Sequence, residues 1–185
     1  MVSENVELVK RKRLSYTKNV IIYFFIYAFI GWALETVFVF YKMGLLEKRG
    51  FLYGPICPIY GYGILMLILS LKPHAKSKPK LFFEAVIVFS AFEYLVGFAL
   101  EALFKLSLWN YSSDLFNLNG RVSLLISISW GLLALLIAYY LHPFIKKKLA
   151  SLENKLNYTF MNTIFYILCG TYIVDTLASI LNHSM

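Results

Sequence analysis

Residues 20–41 read VIIYFFIYAFIGWALETVFVFY, and Glu35 is the single charged residue among them. At about 1.5 Å per residue, a helix of this length crosses a hydrocarbon core of about 30 Å. The run is too long for the apolar core of a secretory signal peptide, and no small-residue cleavage site follows it. It therefore predicts a retained transmembrane helix.

The composition of the whole chain is typical of a membrane protein. Of its 185 residues, 59% are hydrophobic and 15% are charged, and the mean hydropathy is +0.66. An ordinary soluble domain has about 25% charged residues. The net charge of +8 lies in short clusters beside apolar runs rather than on an amphipathic face. We therefore expect the lipid bilayer, and no nucleic acid, as a partner.

Further apolar runs predict an all-α, polytopic membrane bundle of about five transmembrane helices. We expect these helices at about 20–41, 55–71, 81–104, 122–142 and 161–181. No internal repeat or Pro/Ser-rich linker divides the chain. We therefore expect a basic cytoplasmic segment at 1–19 and a single transmembrane domain at 20–181.

The second apolar run begins with FLYGPICPIYGYG, residues 51–63, which is rich in glycine and proline. Irregular backbone at membrane depth occurs only where it is buried in protein or lines a cavity. We expect a broken segment there, before helix two becomes regular, with Gly61 and Gly63 in close contact with another element. The alternative is an ordinary outer loop, followed by a short helix that begins near Pro58.

The distribution of lysine and arginine predicts the orientation. Thirteen of the eighteen lie before helix one, between helices two and three, or between helices four and five. The other five are Lys42, Lys48, Arg49, Lys105 and Arg121. Because cytoplasmic loops carry the excess of positive charge, we expect the N-terminus in the cytoplasm of a cell membrane and the C-terminus outside.

The acidic residues that interrupt or end the apolar runs include Glu35, Glu93, Glu101 and Asp175. A carboxylate in lipid is costly, so such residues face a bundle interior or a wet cavity and need partners. Glu93, Gly97 and Glu101 recur every four residues and therefore share one helix face, where the glycine allows another helix to approach.

These acids and the arginines on the outer side predict a polar site in the outer half of the membrane, walled by aromatic side chains that include Tyr111 and Trp130. The candidate ligand-binding residues are Glu35, Glu93, Glu101, Arg49, Arg121, Trp109, Asn110, Tyr60 and Trp32. Arginine suits such a site because it forms bidentate pairs with carboxylates and stays charged when buried. The alternative is that the charges are interhelical salt bridges that only hold the bundle together.

Four short stretches of the sequence, taken together, resemble those of a known family. They are GWALE at 31–35, RGFLYGPICPIYGYG at 49–63, WNYS at 109–112 and NGRVSLLISISWG at 119–131. The chain resembles the bacterial CmpB-like family of ABC-transporter type IV permeases over about residues 20–145. The resemblance implies a transport permease. Asn110 departs from the family pattern, in which an aspartate follows the tryptophan.

The sequence carries no G-x-x-x-x-G-K-[ST] loop, so ATP binding would belong to another polypeptide. The spacing of the three histidines, His74, His142 and His183, is not that of metal ligands. A disulfide between Cys57 and Cys169 is implausible. No combination of Ser, His and Asp residues stands out as a catalytic triad. We expect no cofactor, no metal and no catalytic residue in this chain.

The preferred function is a transporter permease or substrate-capture subunit for an unknown small substrate. Its expected partner is a second copy of the chain or a separate ATPase subunit, because five helices make a small permease. Two alternatives stay open. One is an intramembrane enzyme acting on a lipid-linked substrate, with carboxylates as general acid or base. The other is a structural or regulatory membrane subunit.

Overall fold

The computed structural model describes residues 2–46 and 48–184. They form five helices: α1, Val2–Met43; α2, residues 58–74; α3, Lys78–Phe104; α4, residues 124–155; and α5, Tyr158–Ser184. No β-strand is present among the described residues, and α1, α3, α4 and α5 are long and apolar enough to cross a membrane. These features confirm the all-α membrane bundle. The helix α2 is shorter, and α1 continues the predicted first span back to Val2.

The irregular backbone before α2 ends earlier than the glycines and prolines indicate. Residues 44–46 and 48–57 are non-helical, and α2 begins at Pro58. Proline suits the first turn of a helix, where its missing N–H has no intrahelical partner. The expectation of broken backbone through Gly63 is therefore wrong, and the alternative of a short helix from near Pro58 is correct.

Both α2 and α4 contain a π-helical turn that is separated from a following proline by one residue. In α2 the regular part Pro58–Met66 is followed by the π-turn Leu67–Leu71, and in α4 Leu124–Leu136 is followed by Ile137–Leu141. Each turn ends with an N–H that donates to the carbonyl five residues back. Pro73 and Pro143 follow these donor residues directly. The wider turn removes the clash of each proline ring with the carbonyl four residues back.

Serine caps and a left-handed residue set the ends of the long helices that carry the site. Ser77 and Ser123 accept hydrogen bonds at 3.4 Å from the N–H groups of Lys80 and Ile126, at the starts of α3 and α4. Helix α3 ends at Phe104, and the next residue, Lys105, has a left-handed φ of 54° and donates its N–H to the carbonyl of Glu101.

The core lies between two helix pairs, α1 with α2 and α3 with α4. Its buried members are Tyr23, Tyr27, Ile64, Leu67, Leu81, Ala85, Phe89, Ala134, Ile137, Ala138 and Leu149. Small residues bring the pairs close together: a Cβ on Gly131 would lie 2.6 Å from the ring of Phe82, and one on Gly61 would lie 2.5 Å from the ring of Phe24. Helix α5 packs only at the edge of this core.

Candidate functional site

A cavity of about 620 Å³ lies where α1, α3 and the start of α2 meet the two connecting segments. Its wall includes Glu35 from α1 and Glu93 from α3, and we call it the Glu35–Glu93 cavity. Its volume is within the range of about 300–1,000 Å³ that small-molecule sites occupy. The cavity is therefore large enough to hold a small ligand.

Glu35 accepts two hydrogen bonds, one from the first turn of α2 and one from the residue that precedes this helix. The Tyr60 hydroxyl donates to Oε1 at 2.5 Å, and the Cys57 thiol lies 3.7 Å from Oε2. Gly31 makes this arrangement possible, because a Cβ there would overlap the ring of Tyr60. Gly31 and Glu35 are four residues apart and so share one face of α1. The sequence GWALE therefore supplies both the gap for the ring and the acceptor for its hydroxyl.

Glu93 is the most enclosed acid of the cavity, with 4% of its surface exposed. The Trp130 indole donates to its Oε2 at 2.9 Å, and the Tyr111 hydroxyl donates to its Oε1 at 3.1 Å. Burial raises the pKa of Tyr111, and the nearby Glu93 raises that pKa further, so the phenol keeps its proton and remains a donor. Residues from α3, α4 and the connection between them thus form one hydrogen-bonded cluster.

The connecting segment 44–57 is fixed by backbone hydrogen bonds to two helices. The N–H of Cys57 donates to the carbonyl of Ala28 in α1 at 3.0 Å. The carboxylate of Asp175 in α5 accepts from the N–H groups of Tyr53 and Gly54 at 2.9 and 2.8 Å. Asp175 thus has a defined acceptor role that the sequence alone did not assign.

Two cations of this segment, Lys48 and Arg49, line the same cavity. The ammonium of Lys48 lies 4.0 Å from the centre of the Tyr53 ring. Arg49 is therefore on the cavity wall, as the sequence predicts. The candidate residues predicted from the sequence do not include Lys48, although its place beside Arg49 is a signal for this role.

The connection between α3 and α4 contributes Trp109 and Asn110 to the cavity wall. The Trp109 indole donates to the carbonyl of Arg121 at 2.9 Å. This hydrogen bond joins the beginning and the end of the connection. The Asn110 side chain accepts from the N–H of Ser112 at 2.9 Å. An asparagine thus supplies the acceptor of a tight turn here, which an aspartate could also supply.

Glu101 and Arg121 pair with each other and do not line the cavity. The guanidinium donates through Nε at 3.0 Å and Nη2 at 2.5 Å to Glu101 Oε2, and these hydrogen bonds to the carboxylate raise the pKa of Arg121. The expected convergence of this pair with Glu35 and Arg49 therefore does not occur. Glu101 shares a face with Glu93, but eight residues of helix separate them by about 12 Å.

Gly97 lies between the two acids and explains the pair's position. A Cβ at Gly97 would lie 3.3 Å from the Trp109 indole and 3.5 Å from the Arg121 side chain. The connection between α3 and α4, rather than another helix, makes the close approach. Trp32 also lies outside the cavity lining; its ring stacks near that of Phe29, with centroids 5.8 Å apart.

The arrangement presents two carboxylates and several aromatic rings to one enclosed space, with two cations on the connecting segment. Such a wall can accept hydrogen bonds from a polar ligand and pack against its apolar parts. Among the described residues, no group of three His, Cys, Asp or Glu side chains could hold a metal ion. Cys57 and Cys169 are both free thiols.

Comparison with known proteins gives one family. The family model ABC_trans_CmpB, described as "Putative ABC-transporter type IV", matches residues 22–180. No curated protein and no solved structure matches the chain. The apolar helices and this match together make the chain a multi-pass membrane protein related to transport. Because the match covers most of the sequence, the chain belongs to the ABC_trans_CmpB family.

Proposed function

We propose that the chain is the permease or substrate-capture subunit of an ABC transporter and that its ligand occupies the Glu35–Glu93 cavity. The observation that carries this proposal is the cavity itself: about 620 Å³, beside the non-helical segment before α2, with the half-buried Glu35 and the buried Glu93 on its wall. Non-helical backbone at membrane depth is tolerated where it is buried in protein or lines a cavity. The family match supports the transport context.

The proposed orientation places the N-terminus in the cytoplasm and the C-terminus outside, in the cell membrane. The excess of lysine and arginine on the N-terminal side supports it. In this orientation the segment 44–57 and the cavity lie in the outer half of the membrane. An extracytoplasmic ligand would then reach the site from outside.

Energy would come from a separate polypeptide, because the chain has no P-loop. The partner we propose is an ATPase subunit, with two copies of the chain as an alternative assembly. The basic residues in the N-terminal part of α1 and at the end of α4 give the proposed cytoplasmic side a positive charge that such a partner could recognise.

Copurification tests the proposal. The tagged chain, purified from its native membranes in mild detergent, should elute with ATP hydrolysis activity. An unrelated multi-pass protein with the same tag should not. Failure to recover an ATPase after chemical crosslinking would contradict the transporter assignment, and turnover of a lipid-linked substrate by the purified chain alone would favour an enzyme.

A matched pair of tryptophan substitutions on α3 tests the place of the ligand. Leu100 lines the cavity, whereas Leu103 is 72% exposed on the outer surface of the helix. Leu100→Trp should fill the cavity and lower the ATP hydrolysis of the copurified complex, and Leu103→Trp should leave it unchanged. Equal effects of both substitutions, with normal elution of both proteins, would place the ligand elsewhere.

A further inference from the structure

The rings that surround Glu93 restrict what chemistry the cavity can accept. Tyr60, Tyr111 and Trp130 all line the space in front of its carboxylate, and Trp109 extends the same wall. The rings of Tyr60 and Trp130 have centroids 5.9 Å apart. Aromatic faces carry negative electrostatic potential, so a cation that packs against the face of one of these rings is attracted to it.

The hydrogen bonds of the two acids favour the same charge. Trp130 and Tyr111 donate to Glu93, and Tyr60 and Cys57 donate to Glu35. All four donors are neutral, so they satisfy lone pairs without adding positive charge. A buried carboxylate is stabilised most by an opposite charge at short range.

The site of such a charge is assigned to Glu93 rather than to Glu35. Cys57, which donates to Glu35, belongs to the same connecting segment as the cations Lys48 and Arg49. Glu93 is more enclosed, with 4% exposure, and two of the rings are its own donors. We propose that the ligand of the Glu35–Glu93 cavity carries an amine or quaternary ammonium group, which lies against Glu93 between Tyr60, Tyr111 and Trp130.

This proposal rests on the proposed function only for the place of the ligand. A free amine and the amine headgroup of a lipid share the recognised chemistry, and either fits a cavity that opens among membrane helices. Binding can be measured on the purified chain without an ATPase. A negative binding result with a copurifying ATPase would therefore refute the amine and leave the transporter assignment intact.

The test uses the three tryptophans of the chain, of which Trp109 and Trp130 line the cavity and Trp32 does not. Benzyltrimethylammonium, added to the purified protein in detergent, should change tryptophan fluorescence saturably. Neopentylbenzene, which has the same shape without charge, and benzoate should bind at least about tenfold more weakly. Equal binding of the neutral compound, or tighter binding of benzoate, would overturn the proposal, and this series needs no variant.

Charge-neutral variants on one helix locate the effect. Glu93→Gln should weaken benzyltrimethylammonium binding by at least about tenfold. Glu84→Gln is the matched control, because Glu84 forms a surface pair with Lys80 at 3.4 Å and does not line the cavity. Trp32→Phe should keep the fluorescence response. Unchanged affinity in Glu93→Gln protein that elutes normally would overturn the assignment to Glu93.

Nanodiscs distinguish the two sources of the amine. If the natural ligand is a lipid headgroup, phosphatidylcholine nanodiscs should suppress binding of the soluble probe relative to phosphatidylglycerol nanodiscs. If the natural ligand is a free amine, the probe should bind equally in both. Absence of saturable binding in detergent and in both nanodiscs would refute the amine ligand.

Discussion

Gly61 offers the sharpest test of the packing, through the substitution Gly61→Ala. The added Cβ would lie 2.5 Å from the ring of Phe24 and 2.9 Å from the Phe24 carbonyl oxygen. The ring has little freedom to move away, because those of Tyr62 and Tyr172 lie with centroids 4.8 and 5.3 Å from it. The backbone carbonyl cannot rotate away either. Overpacking of this kind costs about 1–3 kcal/mol.

Gly63→Ala is the matched control in the same helix. Nothing lies within 4 Å of a Cβ at Gly63, so only helix propensity changes there. Alanine is better than glycine in a helix interior by about 1 kcal/mol, and this gain applies to both variants. The difference between the two variants therefore isolates the steric cost, about 1–3 kcal/mol in the free energy of unfolding.

Thermal unfolding in detergent, followed by circular dichroism, measures this difference. For a chain of this size, about 2 kcal/mol corresponds to a shift of about 4–8 °C in Tm. We expect Gly61→Ala to melt below the parent protein and Gly63→Ala to melt at or above it. A Gly61→Ala variant as stable as Gly63→Ala would refute the close approach of α1 and α2.

Three further outcomes are expected. Tyr60→Phe removes the donor to Glu35 and should lower the free energy of unfolding by about 1.5–3 kcal/mol; an unchanged Tm would contradict this hydrogen bond. Asp175→Asn replaces one acceptor by a donor, so hydrogen exchange at the amides of Tyr53 and Gly54 should accelerate by roughly tenfold, and unchanged exchange would contradict the anchor. Reporter fusions test the orientation, and a cytoplasmic C-terminus would refute it. Fusions should read cytoplasmic after Lys76 and Lys147, and external after Lys48, after Asn117 and at Met185, which lies outside the described residues.

Apolar length was enough to predict the long helices, because the cost of exposing backbone in lipid leaves few other structures for such runs. The residue at which α2 begins was harder to predict from the sequence. Glycine and proline counted against a helix at 58–63, yet Pro58 occupies the tolerated first turn and Gly61 is required by the ring of Phe24. Gly63 has the same local sequence character without such a neighbour, and only the packed structure separates the two.

The candidate site was predictable in part for a similar reason. Intramembrane acids need partners, and that rule located Glu35 and Glu93. The rule could not show that Glu93 and Glu101 have different surroundings. Helical periodicity predicts that they lie on the same face of α3, but it does not predict which residues pack against that face at each position along the helix. The separation depends on the connection between α3 and α4, whose Trp109 holds Arg121 beside Glu101. Such a fold of a connecting segment leaves no periodic signal in the sequence.

The π-turns before Pro73 and Pro143 have an evolutionary consequence. Each turn contains one residue more than a regular helix would need. A relative that has lost one residue from this stretch would regain regular hydrogen bonding, but its proline ring would then meet the carbonyl four residues back. Deletion and proline loss should therefore occur together, so that homologous chains are either one residue longer with the proline or one residue shorter without it.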